Sequence, residues 1–317
     1  MNTTACYQQS FSWHFLLPRY WFTWLGLLLL WLIDCFPLSV KRKLSQLLGH
    51  SLYRFNAKRR HIVETNLNLA FPKSDEVSRQ DMARELFCHA VFVLLDYPLL
   101  LWAGKKTLNT RIKVQGLEHI ANCQKEQGHV ILLTCHMLGL EYGALGLTQH
   151  VASVGLVNPA RNALFEWLIM RGRTRFQGQL YQRSQGLRPV IKAIKQNRVF
   201  YYLPDEDLGE KTQTQFVPFF GIETATINAL PRLAAITASA VLPAVTILDE
   251  KTGIYTLEIE PPLKDFPKRN EENAALENMQ RMNQCLEQLI MRAPSQYMWS
   301  LRLFQTRPLA APSPYRY

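Results

Sequence analysis

Gly128-His-Val-Ile-Leu-Leu-Thr-Cys-His-Met-Leu-Gly-Leu-Glu141 is the stretch on which the reading of the whole chain turns. Val130 to Leu133 is an aliphatic, partly β-branched run set between a glycine and the polar Thr134, the pattern of a buried strand. A histidine delivered just past the carboxyl end of such a strand lies where open α/β sheets place their ligands. His136 and Glu141 are five positions apart, and on one helix they would diverge by about 140°. They can meet only if His136 is still in the loop and Glu141 lies in the first turn of the next helix, near its favourable positive end. The plain alternative is a buried histidine beside a surface glutamate, since His-x4-Glu alone is a weak signal.

Outward from this stretch, apolar strand-like runs alternate with amphipathic ones. Ile112 to Val114, Val151 to Val157, Arg198 to Leu203, Val241 to Leu248 and Tyr255 to Ile259 read as strands. Helical spacing covers Asn162 to Arg171, Leu187 to Gln196, Thr226 to Ser239 and Glu271 to Met291. Strands alternating with helices predict an α/β fold with a mixed, largely parallel sheet flanked by helices. The expected organisation is an N-terminal membrane-anchor segment over residues 1–38, one catalytic domain over 39–305 and a loose Pro-rich tail over 306–317.

The N-terminal segment carries the uncharged run Tyr20 to Ile33 between Arg19 and Asp34, with Trp13, Trp21, Trp24 and Trp31 as candidate interfacial aromatics. That run is shorter than the ~20 residues usually needed to cross a bilayer. A tilted or snorkelling span, an in-plane interfacial anchor and a buried core helix all remain open. Lys41, Arg42, Lys43, Arg54, Lys58, Arg59 and Arg60 follow with no acid between Ser39 and Val63. Their position directly after the most apolar stretch points to an anionic membrane surface rather than nucleic acid. The 317 residues carry a formal charge of +11, with 48 % hydrophobic and 19 % charged residues, too polar for a multispanning protein. The 6 cysteines show no CxxC pair, which fits reduced thiols better than disulfides or zinc.

Two further polar clusters stand near expected element ends. Arg171-Gly-Arg173-Thr-Arg175 ends a helix, either as phosphate or oxyanion cations or as complements to the helix dipole. Leu203-Pro-Asp205-Glu-Asp207-Leu-Gly209 is a proline-led acidic turn after a strand. Adjacent carboxylates on a turn hold arginines more often than a metal, and no metal or other cofactor is expected. The P-loop, GxGxxG, GxSxG and HExxH patterns do not occur. Cys135, next to His136 on the strand side, points away from it and is a poor nucleophile candidate. A hydroxyl acceptor, a thioester donor and a phosphate-bearing substrate suit a base, cations and carboxylates in this order.

The ordered set resembles a known family. His136-x4-Glu141, Asn158-Pro-Ala-Arg-Asn162, Arg171-Gly-Arg173, the acidic turn, Phe216-Val-Pro-Phe-Phe-Gly221 and Glu260-Pro-Pro262 are similar to the late acyltransferases of lipid A biosynthesis, within the lysophospholipid acyltransferase superfamily. The stretch from Arg175 to Asp205 resembles the myristoyltransferase type more than the lauroyltransferase type. The resemblance implies an inner-membrane enzyme with its catalytic body on the cytoplasmic side. It would move an acyl chain from acyl carrier protein to a 3-hydroxyacyl hydroxyl of a lipid A precursor, without a covalent acyl-enzyme. On that reading His136 is the base, Glu141 its orienting partner and Arg171 or Arg173 the oxyanion cation. Arg175, Asn162, Asp205 and Asp207 are then substrate-binding or cation-orienting residues. An esterase acting on membrane lipids and a non-enzymatic lipid-binding protein are the alternatives.

Overall fold

The computed structural model describes residues 6–126, 128–209, 214–268, 273–308 and 311–315. The chain opens with two short 3-10 turns, then α1 (Trp21–Asp34), α2 (Leu38–Phe55), α3 (Ala57–Ala70), α4 (Glu76–Leu95), α5 (Tyr97–Leu101) and α6 (Lys105–Arg111). From there strands and helices alternate: β1 (Ile112–Gln115), α7 (Leu117–Glu126), β2 (His129–Leu133), α8 (Leu140–Thr148), β3 (Ser153–Val157), α9 (Ala163–Thr174), β4 (Gly178–Gln182) and α10 (Arg188–Ile194). The remainder is β5 (Val199–Tyr202), β6 (Thr214–Phe219), β7 (Ile222–Ile227), α11 (Leu230–Thr237), β8 (Ser239–Asp249), β9 (Ile254–Ile259) and α12 (Ala274–Met291).

Seven strands form one sheet in the order β1-β9-β8-β2-β5-β3-β4. All its pairings are parallel except β8 with β9. The expected mixed, largely parallel sheet is therefore present. β2 lies at its centre, and its two faces enter two different cores. Ile131 and Leu133 join a cluster with Leu233, Ala234, Leu286 and Leu289 of α11 and α12. Val130 and Leu132 join Ile120, Cys123 and Leu147 of α7 and α8. Burial on both faces is why this strand reads as an unbroken apolar run. β6 and β7 form a separate antiparallel hairpin that holds the Phe216–Gly221 motif, which was not read as strand.

The basic stretch that follows the N-terminal segment folds as two helices, α2 and α3. Asn56 breaks it, with a side chain that accepts the Arg59 N–H and caps α3. The long C-terminal helix begins at Ala274, and the expected start at Glu271 lies outside the described residues. The described part of the tail is not loose at Tyr315, which is buried, accepts the Phe304 N–H and donates to Oδ1 of Asn66.

The N-terminal expectation needs the largest correction. α1 has 14 residues, about 21 Å of helix, against a hydrocarbon thickness of about 30 Å. Among the described residues no helix is long and apolar enough to cross a membrane. Nor is α1 a core helix, since Leu27 is its one buried residue. Trp21, Phe22, Leu25, Leu28, Leu29, Trp31 and Leu32 are all exposed. The helix is joined to the body by buried charge. Lys41, 3 % exposed, donates from Nζ to Asp34 Oδ1 over 2.5 Å and to the fully buried Asp96 over 3.2 Å. Asp96 Oδ2 also takes Arg111 at 2.6 Å and the Tyr255 hydroxyl at 3.1 Å. One carboxylate thus ties α2, α6 and β9 to the α4–α5 junction.

Candidate active site

The site is assembled at the carboxyl ends of neighbouring parallel strands. β2 runs into His136, β5 into Asp205 and Glu206, and the edge strand β4 into Arg183. The β2–β5 register, with Leu133 opposite Tyr202, carries both chains to the same level, and the Thr134 N–H extends the ladder to the Tyr202 carbonyl over 2.9 Å. The loop after β2 is itself held from the far end of the chain. Met137 bridges Tyr297, Met298 N–H donates to the His136 carbonyl over 2.9 Å, and Leu138 N–H donates to the Gln296 carbonyl over 2.8 Å.

His136 is in the loop and Glu141 in the first turn of α8, as the spacing argument requires. They are not hydrogen-bonded to each other, however. The carboxylate on the histidine is that of Asp205. Its Oδ1 accepts from Nδ1 over 2.7 Å and its Oδ2 accepts the His136 backbone N–H, also over 2.7 Å. The Tyr297 hydroxyl donates to the same Oδ2 over 2.9 Å. Glu141 instead holds Arg173 through both carboxylate oxygens, Nε to Oε2 at 2.8 Å and the second bond closing the fork. A planar guanidinium matches a carboxylate at two points, whereas an imidazole offers it one.

The other side of the ring is also acidic. Glu206 Oε1 stands 3.4 Å from Nε2, and its second oxygen is bonded to Arg183. Burial pushes the His136 pKa down, but the charge and hydrogen bond of Asp205, then the charge of Glu206, more than reverse this. The ring is left above its ordinary value, with Arg183 opposing the rise. The Asp205 side chain is fully buried, which raises its pKa, yet the His136 charge and the hydrogen bonds it accepts bring it below the usual carboxylate range.

The remaining expected residues are dispersed. Arg171 is exposed and lies over the Trp167 ring at 5.1 Å. Arg175 donates to the carbonyls of Ala103 and Leu99, so it ties α9 to the α5–α6 connection. Asn162 caps α9 by accepting the Phe165 N–H and reaches Thr23 of α1 over 2.8 Å. Asp207 accepts the backbone and hydroxyl of Thr306 and turns back to the Gly209 N–H. Burial pushes the Cys135 thiol well above its ordinary pKa, so it is no nucleophile. Among the described residues no group of three or more His, Cys, Asp or Glu side chains is placed to hold a metal ion.

Two residues were absent from the sequence reading altogether, Arg183 and Tyr297. Neither belongs to a motif, and only the strand order and the return of the C-terminal segment bring them here. What they surround opens into a cavity of about 310 Å³. His136, Glu141, Arg173, Arg183 and Glu206 are its titratable lining residues near the strand ends, with Asn158 and Gln179 among the other polar ones. Leu140, Ala144 and Leu147 of α8 face Val154, Leu156 and Leu180 of β3 and β4 along an aliphatic part. A histidine lining a cavity that is otherwise largely aliphatic suits a substrate with a polar end and a hydrocarbon tail.

Residues 8–306 match the family model described as bacterial lipid A biosynthesis acyltransferase. The chain is 33 % identical to a lipid A biosynthesis acyltransferase of Haemophilus influenzae, covering 95 % of this chain and 93 % of that one. It is 34 % identical to the lipid A biosynthesis lauroyltransferase of Escherichia coli K12, covering 96 % and 98 %. Against the myristoyltransferase of the same organism the identity is 30 %, covering 98 % and 95 %. These identities do not single out the myristoyl type.

Proposed function

The chain belongs to the bacterial lipid A biosynthesis acyltransferases and is an acyltransferase of that process, and on that premise we propose that it carries an acyl group from the thioester of acyl carrier protein to a hydroxyl of a lipid A precursor. The observation that carries the mechanism is the 2.7 Å contact between Nδ1 of His136 and Asp205. It fixes the proton on Nδ1 and directs the Nε2 lone pair at the cavity. His136 removes the acceptor's hydroxyl proton, the oxygen attacks the thioester carbonyl, and the same ring returns the proton to the departing thiolate. No acyl-enzyme forms on this route. Asp205 takes the orienting role that the spacing suggested for Glu141, while Glu141 and Arg173 form a fixed wall of the cavity. The apolar groove beside α8 receives the acyl chain.

The reading includes attachment to the cytoplasmic face of the inner membrane, in the plane of the interface. Its support is the exposed face of α1 described above, continued by Phe36, Val40, Leu47, Leu48 and Phe55, with Arg42 and Lys43 alongside. Apolar side chains flanked by cations suit an anionic bilayer surface.

The test of the reaction is transfer of labelled acyl chain from acyl carrier protein to a purified precursor by the full chain. Product that forms only with both substrates supports the proposal. Hydrolysis at the same rate without acceptor would favour an esterase, and binding without turnover a lipid-binding protein. His136→Ala should cost roughly 10²–10⁴-fold.

A further inference from the structure

A thioester attacked by an alcohol needs a second group besides the base, because the carbonyl oxygen becomes an oxyanion and must be held. The arginines expected for this are otherwise engaged: Arg171 lies outside over Trp167, Arg173 is forked onto Glu141, and Arg175 is bound to backbone carbonyls. Arg183 is placed differently. It follows β4 directly, lines the same cavity as His136, and is bonded through one guanidinium nitrogen to Glu206. Glu206 in turn stands 3.4 Å from Nε2, the ring atom that faces the reaction. The cation is thus tethered on the reacting side of the histidine, while the orienting carboxylate is on the opposite side.

We propose that Arg183 is the catalytic cation that stabilises the tetrahedral oxyanion, and that Glu206 is the positioning residue that holds it beside Nε2 of His136. The inference rests on the acyl-transfer reading given above. In the step concerned, the acceptor oxygen forms a bond to the thioester carbon as its proton passes to Nε2. The carbonyl π pair moves onto oxygen and is met by the Arg183 guanidinium. When that pair returns, the C–S bond breaks and the thiolate takes the proton from Nε2. Nothing is oxidised or reduced. The entering hydroxyl displaces Oε1 of Glu206 from Nε2, while Oε2 keeps Arg183 in place through one nitrogen and leaves its other N–H groups for the oxyanion.

The charges facing His136 make the test specific. Asp205 and Glu206 arrive from the turn after β5 and Arg183 from the end of β4, while Glu141 and Arg173 line the cavity as a pair of their own. In the full chain, Arg183→Gln should lower kcat about 10²–10³-fold, the range for loss of one oxyanion donor, with the KM for each substrate little changed. Arg183→Lys should recover part of that loss. The acid limb of the kcat/KM profile should move to higher pH in Arg183→Gln and to lower pH in Glu206→Gln, because their charges act on His136 in opposite senses. NMR titration of the His136 ring should show the same two opposite displacements without any substrate. A loss in Arg183→Gln confined to the acceptor's KM would overturn the proposal in favour of phosphate binding, and near-normal kcat would overturn it outright. If the ring titrates as expected but the wild-type chain transfers no acyl group from a thioester, the acyl-transfer reading has failed, and the assignment of Arg183 falls with it.

Discussion

Tyr297 and His136 converge on a single oxygen: the tyrosine hydroxyl and the histidine's backbone N–H both donate to Oδ2 of Asp205, over 2.9 and 2.7 Å. The carboxylate is therefore fixed in rotation before it reaches the imidazole with its other oxygen. Tyr297→Phe keeps the ring and removes one hydrogen bond to a charged group, a change of about 1.5–3 kcal/mol. The expected outcome is a fall in kcat of about tenfold or more with KM unchanged and circular dichroism unaltered. Unchanged kcat would show that the hydroxyl serves packing alone.

Asp205 and Glu141 can be told apart by charge-removing variants. Asp205→Asn should cost about 10³–10⁴-fold, because it leaves the imidazole without the acceptor that sets its tautomer. It should also move the acid limb of the rate profile to lower pH, since Asp205 raises the ring's pKa. Glu141→Gln strips Arg173 of its counter-charge instead. Its loss should appear in thermal stability as well as in turnover, with the acid limb left in place. A displaced acid limb in Glu141→Gln would return the orienting role to that residue.

The pH dependence of the wild-type enzyme has a definite sign. A base works only when unprotonated, and His136 holds its proton more tightly than an ordinary histidine near 6.5. Turnover should rise with pH through a value above 6.5 and fall off below it. The same shift favours the folded state at low pH: its contribution is complete below the ordinary histidine pKa and is lost as pH rises through the raised one. An acid limb centred below 6 in the kcat/KM profile would contradict the geometry of the two flanking carboxylates.

In the plane of the interface, α1 needs its exposed side chains rather than its length. Replacing Phe22, Leu25 and Leu29 together by Ser should abolish co-sedimentation with vesicles containing anionic lipid. Raising the salt should weaken wild-type binding without removing it, because apolar insertion is not screened. Retention of the triple variant on vesicles would place the contact elsewhere.

Much of the scaffold was legible because it follows from local patterns. The run Val130–Leu133 is apolar throughout because both its faces are covered, and a polar turn after it could only be a strand end. The loop placement of His136 and the first-turn placement of Glu141 followed from helical geometry. The partnership did not, because it is decided by strand order. β5 lies next to β2, so Asp205 arrives at Nδ1 from 69 residues away, while Glu141 finds a better-matched cation on α9. The acidic turn was conspicuous in sequence, but whether it would face an arginine, a metal or the histidine depends on which strands are neighbours. Arg183 and Tyr297 had no local signature. The strands β4 and β7 escaped notice because their apolar residues are interrupted by polar ones, and β6 because Pro218 stands in the middle of its apolar run. The shortness of the N-terminal run was legible, and α1 has that length; the choice among span, interfacial anchor and core helix was not, because it depends on which of its side chains the body covers.

His136 and Asp205 stand three residues beyond the ends of two neighbouring central strands, with Leu133 and Tyr202 in register behind them. Amides in such a ladder belong to the part of a protein that opens last. The proposed acid–base pair is thereby anchored close to the part of the sheet that frays last. As denaturant is added, activity should disappear together with the cooperative loss of the sheet rather than ahead of it, and amide exchange at Ile131 to Leu133 should be among the slowest in the molecule. In a family that differs in the chains it transfers, this leaves the groove beside α8 free to vary without disturbing the proton transfer.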